Sequence, residues 1–250
     1  MKQSLIHEIA APRAVRHDKK RTAAKQVLNR TVVLLALTVS LTSLSAASQP
    51  PAREILDRVR LQQSQQQLDL QGQLRSDGTV LPFRITQTGP VIRYTFANPP
   101  ETVQLKLEED GARLDLVLLN STKKFAASRL DEKIGGTAVT YGDLALKFLY
   151  WPNPEMLGAD TIRSRMCWKL RLTAPTNDAA YKTVLLWVDQ ESGALMRMEG
   201  YDLKNLLVKR FEVVSAQKIE GRWFLKQMRI EEIAPGTDKV QNRSYLEIKK

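Results

Sequence analysis

Val184-Leu-Leu-Trp-Val-Asp-Gln-Glu-Ser-Gly-Ala-Leu-Met-Arg-Met-Glu-Gly-Tyr-Asp202 is the stretch that decides the fold. Two short runs of β-formers flank Gln190-Glu-Ser-Gly193, a turn with glycine where a positive φ is needed, so the segment reads as a β-hairpin. Upstream, Leu68, Leu70 and Leu74 alternate with Asp69, Gln71 and Gln73, and Asp77-Gly78 turns the chain into Leu81, Phe83 and Ile85. Gly89-Pro90 leads to Ile92, Tyr94 and Phe96; Val103, Leu105 and Leu107 follow, then Glu109-Asp110-Gly111, then Leu114, Leu116 and Leu118. A strand over 162–173 places Met166, Trp168, Leu170 and Leu172 on one face, with Arg163, Arg165, Lys169 and Arg171 on the other. Strands over 206–214, 223–233 and 240–248 complete a meander, with turns at Glu220-Gly221 and Pro235-Gly236. Period-two patterning broken by closely spaced turns predicts about ten or eleven antiparallel strands with one wet face.

Two helices accompany them. After Gln49-Pro50-Pro51, residues 52–65 set Ile55, Leu56 and Val59 on one side of a long helix. Residues 142–149 read as a short helix capped by Asp143 and ended by Trp151-Pro-Asn-Pro154, with 120–140 before it as a long loop. A two-sheet stack usually lacks a leading helix. The predicted class is therefore α+β, mainly antiparallel β: a curved, unclosed barrel (half-barrel) whose partly open concave face is lidded by one long and one short helix.

The first 30 residues hold eight Lys/Arg and two acids, and 31–47 carry no charge and end Ser45-Ala46-Ala47. A basic start, an apolar run and small residues at the −3 and −1 positions predict a cleaved secretory signal over 1–47. The apolar run falls short of the roughly 20 residues of a spanning helix. No cysteine follows it, which excludes lipid attachment at a processed N-terminus. Residues 48–250 form one domain of ordinary size, and the expected location is the periplasm.

Export removes eight cations and two acids, so the net charge of +11 drops to +5, spread along the chain. Nucleic-acid binding calls for a concentrated basic stripe instead. The two histidines, His7 and His17, both lie in the export segment, and Cys167 is the single cysteine. Ser-His-Asp and Cys-His catalysis, histidine zinc sites and an internal disulfide are thereby excluded from the exported domain. No cofactor or metal is expected.

Ser121-Thr-Lys-Lys124 matches Ser-x-x-Lys without the companion motifs of that chemistry. Glu108-Glu109-Asp110 lacks the spaced oxygen ligands of a calcium loop. Cys167 falls on the basic face between Arg165 and Lys169, where cations would favour the thiolate; the plainer reading is a small residue packed at a sheet–loop contact. The Arg163/Arg165/Lys169/Arg171 stripe reads either as a headgroup-binding surface or, more simply, as a solvated outer face.

Residues 140–249 resemble the LolA-like outer-membrane lipoprotein-sorting family. The resemblance is carried by Tyr141-Gly-Asp-Leu-Ala, Phe148-Leu-Tyr-Trp-Pro-Asn-Pro-Glu-Met-Leu-Gly158, Cys167-Trp-Lys-Leu, Leu186-Trp-Val-Asp with Ser192-Gly, Gly200-Tyr-Asp and Lys218-Ile-Glu-Gly-Arg-Trp. It implies an unclosed antiparallel barrel with a helical lid and, from the family's best-known members, transport of acylated lipoproteins through the periplasm. No functional residue is carried over position by position. The reading is a non-enzymatic carrier or chaperone for lipoprotein or lipid. Phe83, Ile92, Tyr94, Phe96, Trp168, Leu170, Leu185, Trp187, Met196 and Met198 would line the hydrophobic cavity, and Leu144, Phe148 and Leu149 would form part of the lid. Met196 and Met198 suit a deformable lining. The implied partners are an inner-membrane exporter and an outer-membrane acceptor. A periplasmic sensor or transporter-accessory protein on the same scaffold is the alternative, with a carboxylate-dependent hydrolase behind it.

Overall fold

The computed structural model describes residues 49–177, 179–219 and 222–249; the expected export segment and the expected turn at Glu220-Gly221 lie outside them. Helix α1 spans Ala52–Ser64 and buries Ala52, Ile55, Leu56 and Val59, the side that the apolar spacing predicts. The strands are β1 (Gln67–Ser76), β2 (Thr79–Thr88), β3 (Val91–Ala97), β4 (Pro100–Leu107), β5 (Ala112–Val117), β6 (Thr122–Lys124) and β7 (Glu155–Ile162). They continue as β8 (Arg165–Thr173), β9 (Thr183–Asp189), β10 (Leu195–Tyr201), β11 (Leu207–Ile219), β12 (Arg222–Ile233) and β13 (Val240–Lys249). A second helix, α2, spans Tyr141–Leu144, and a 3-10 turn spans Lys147–Tyr150.

The 13 strands of the described residues join one antiparallel sheet in the order β6-β5-β4-β3-β2-β1-β13-β12-β11-β10-β9-β8-β7. The central β1–β13 pairing links the two chain ends and leaves β6 and β7 as free edges, so the barrel is unclosed. At the middle, Gly72 opposes Phe83, whose ring occupies the space of a side chain: a Cβ there would lie 2.6 Å from that ring and from the Glu247 carbonyl oxygen.

Two strands exceed the sequence expectation. β6 has three residues, below the length at which alternation is readable. β7 is an edge strand with a bulge around Leu157 and a positive φ at Gly158, so it shows no clean alternation. The predicted strand over 162–173 is really the end of β7, a tight turn at Arg163-Ser164, both with positive φ, and β8. No Gly or Asn marks that turn. The predicted helix over 142–149 is also divided: Leu146 adopts a left-handed conformation that ends α2 and starts the 3-10 turn. Thr140 is the N-cap, and Asp143 completes a reciprocal capping box from the third helical position.

One face of the sheet carries two apolar clusters. The first gathers β1–β5, β12 and β13 with Phe125, Ile134, Ala138, Val139 and Tyr141; the second gathers α1 with β8–β10, Phe148 and Leu149. Leu146 and Phe211 pack against both, so the two lie side by side on a single face.

Candidate functional site

The covered face of the sheet is the candidate site. Seven of the expected lining residues share it. Phe83, Ile92 and Phe96 are buried in the first cluster with Tyr94 packed against them, and Leu170 and Met198 lie in the second beside Trp168. The rings of Phe83 and Phe96 meet edge to face at 6.4 Å. Burial pushes the Tyr94 hydroxyl up to about 12. Leu144 packs on the first cluster, while Phe148 and Leu149 are buried in the second.

Leu185, Trp187 and Met196 belong instead to the opposite face, with Ile162 and Cys167. On β9 the inward set is Val184, Leu186 and Val188, so strict alternation turns Leu185 and Trp187 outward. Met196 is displaced by a bulge: Leu195 pairs with Val188 and Arg197 with Trp187, leaving Met196 as the extra residue. The bulge resets the pleat, so Met196 and Met198 face opposite ways although they are two apart. Trp187 donates to Asp160 at 2.9 Å, with Lys169 4.7 Å and Arg197 5.5 Å from its ring centre. An indole so held is a structural strut.

The predicted open hollow is filled. Phe125, Ile134, Val139, Tyr141, Phe148 and Leu149, from a segment with little regular structure, occupy the concavity, and α1 covers the rest. The cleft beside α1, lined by Arg53, Leu56, Arg60, Tyr150 and Trp151 among others, holds about 140 Å³. Ligand pockets run to roughly 300–1,000 Å³. A larger cleft of about 630 Å³ lies between Arg75-Ser-Asp-Gly78 and the start of β13, and its lining is polar.

A buried polar knot, which the sequence reading missed, ties the filling segment to the sheet. Lys209 on β11 is only 4% exposed. Its Nζ donates to the Ala138 carbonyl and lies 3.3 Å from an Asp143 carboxylate oxygen and 3.5 Å from Glu232. Tyr181 donates to Asp143 at 2.6 Å; burial, then the Asp143 carboxylate, push its hydroxyl well above the ordinary value, so it stays a donor. Lys133 pairs with Glu232 at 2.7 Å, and the Ala138 amide donates to Ser244 Oγ at 2.8 Å. The clue lay in β11: Lys209 shares the inward parity of Phe211, and an inward cation requires carboxylates around it.

On the outer face the basic stripe is matched by acids. Arg163 meets Glu212 at 3.0 Å, Arg165 meets Asp189 at 2.7 Å and Arg171 meets Glu155 at 3.2 Å. Cys167 is fully buried there, and burial, followed by the Asp189 charge, raises its thiol to about 11. This corrects the thiolate reading; the packed residue is what the structure contains. Ser121 and Glu108-Glu109-Asp110 are exposed, and among the described residues no cluster of three His, Cys, Asp or Glu is placed to hold a metal. No helix of the described residues is long and apolar enough to cross a membrane.

A family model described as an uncharacterized protein matches residues 104–250. No curated protein matches the chain. Among solved structures, a DUF1329 family protein from Desulfovibrio piger is 17% identical, with a TM-score of 0.60 over 81% of this chain and 92% of its own. A domain from Vibrio parahaemolyticus, named for outer membrane lipoprotein sorting, is 14% identical, with a TM-score of 0.61 over 80% and 90%. A LolA superfamily protein from Nitrosomonas europaea is 17% identical, with a TM-score of 0.56 over 81% and 93%. These likenesses establish the fold: an open antiparallel barrel with a helical lid.

Proposed function

For this chain, which belongs to the family of uncharacterized proteins matched over residues 104–250 and shares the LolA-superfamily fold, we propose a non-enzymatic carrier that binds acyl chains of lipoproteins or lipids. Residues 1–47 direct export to the periplasm and are removed, and 48–250 form the carrier domain. The cargo is passed from an inner-membrane exporter toward an outer-membrane acceptor. A 16-carbon chain in water costs on the order of 12 kcal/mol at about 0.8 kcal/mol per methylene, so unaided diffusion is negligible. A protein that lends its own apolar surface removes that barrier without chemistry.

One observation carries the reading. The concave face is covered by a segment with little regular structure and one helix in place of a second sheet. The filled interior is then the unloaded state, in which the chain's own side chains occupy the acyl site. Loading requires the segment to leave. A filled interior equally suits the alternative, a periplasmic sensor that binds a protein partner on the same fold. Uptake of a fluorescent long-chain fatty acid by the exported domain separates the two. The carrier takes it up saturably, yields it to unlabelled palmitate, and loses affinity on Leu144→Ser. Absence of uptake in the wild type and in a Lys209→Met variant with a loosened tether rejects the carrier.

A further inference from the structure

The β11–β12 hairpin outruns the strands beside it. β10 stays in register with β11 only as far as Glu212, and β13 with β12 only from Gln227 onward. Beyond those points β11 and β12 pair only with each other: Ala216 with Leu225, Gln217 with Phe224 and Lys218 with Trp223. A bond at 3.5 Å, from the Gln217 side-chain amide to the Ile248 carbonyl, links this two-stranded ribbon to β13. Ribbons of two strands have little independent stability in water.

At the end of this ribbon Trp223 is 71% exposed, the most exposed tryptophan among the described residues. Among the described residues it has no ring neighbour and no cation over its face, unlike Trp187. Lys218 stands directly across from it, and Lys226 follows three residues on; both are exposed. Cations elsewhere on this part of the sheet, Arg163, Arg197, Arg229 and Arg243, are matched to Glu212 and Glu231. Lys218 and Lys226 have no carboxylate among the described residues. The antiparallel order puts the β7–β8 turn at the same end of the sheet, where Met166 is also exposed.

We propose that the Trp223 end of the β11–β12 ribbon docks the protein on an anionic lipid bilayer. Trp223 enters the headgroup layer, where an apolar ring with a polar N–H is most at home. Lys218 and Lys226 supply charge complementarity, their long stems letting both ammonium groups reach phosphates from a ribbon only two strands wide. The surface is separate from the covered face, so it does not depend on acyl binding.

Cosedimentation with vesicles tests it: one set of phosphatidylethanolamine with phosphatidylglycerol, the other of phosphatidylcholine alone. The exported domain is expected to bind the anionic set preferentially and to lose affinity as salt is raised. Trp223→Ala and the pair Lys218→Glu/Lys226→Glu should each weaken binding about tenfold or more, and Trp223→Phe should retain most of it. Thermal midpoints and fatty-acid uptake should be unchanged in all three variants. Wild-type binding that is absent, indifferent to lipid charge or insensitive to Trp223→Ala overturns the proposal. Absence points to a protein partner for this surface.

Discussion

Replacing Lys209 with methionine tests how the filling segment is held. The change keeps an unbranched side chain, one atom shorter, and removes its charge. The Ala138 carbonyl loses its donor, and Asp143 and Glu232 lose the cation between them. Removing one member of a buried pair costs about 3–5 kcal/mol, mostly because the other charge is left uncompensated. Asp143 keeps bonds from Tyr181 and from the Thr140 amide, and Glu232 keeps Lys133. The lower figure, about 3 kcal/mol, is therefore expected. For a domain of this size that corresponds to a fall of roughly 6–12 °C in the thermal midpoint, at about 2–4 °C per kcal/mol. Calorimetry measures it, and a cycle with Asp143→Asn checks the cause: coupled residues give a double-variant loss smaller than the sum of the single losses by at least about 1 kcal/mol. A Lys209→Met loss below about 1 kcal/mol, or strict additivity, would refute the idea that this knot fastens the segment.

Other consequences follow from equally local features. A Cβ on Gly200 would lie 2.5 Å from the ring of Tyr181, which is held in place through Asp143, so Gly200→Ala should destabilise by about 1–3 kcal/mol in chemical denaturation; no change would mean that the ring is free to move. The buried Cys167 thiol, raised to about 11, should resist alkylation near neutral pH in the native protein and react fully once unfolded; rapid native labelling would contradict its packing. Burial works to raise the carboxyls of Asp189 and Glu212. Arg165 and Ser192 outweigh it at the first, and Arg197, Arg229 and Arg163 at the second, so both are held below the ordinary range. Such groups contribute stability that is complete above the unfolded carboxyl value, about 4, and that is lost as pH falls toward the depressed folded value. Asp189→Asn should flatten the acid limb of the stability–pH curve below about pH 4, and an unchanged limb would count against the Arg165 pairing.

The sheet was legible because its strands alternate and their turns carry Gly, Asp or Pro, as at Asp77-Gly78 and Gly89-Pro90. α1 was legible from the spacing of Ile55, Leu56 and Val59. Alternation became ambiguous where the pleat is interrupted. The bulge at Met196 separates it from Met198, and an Arg-Ser turn hides the start of β8. Alternation also does not say which face is inward when both are apolar, which is why Leu185 and Trp187 were assigned to the wrong side. The filling of the concave face was beyond local pattern altogether. Phe125, Ile134 and Val139 come from a segment with no period, and the buried pair beside them joins Lys209 to Asp143, 66 positions away by number.

The central claim is that an acyl chain and the segment between Phe125 and Trp151 compete for one face of the sheet. Hydrogen exchange with and without a saturating long-chain fatty acid tests it most directly. Amides of 134–149 should exchange faster when the lipid is bound, while those of β8, β9 and β12 keep their protection. Unchanged or increased protection of 134–149 at saturation would contradict it.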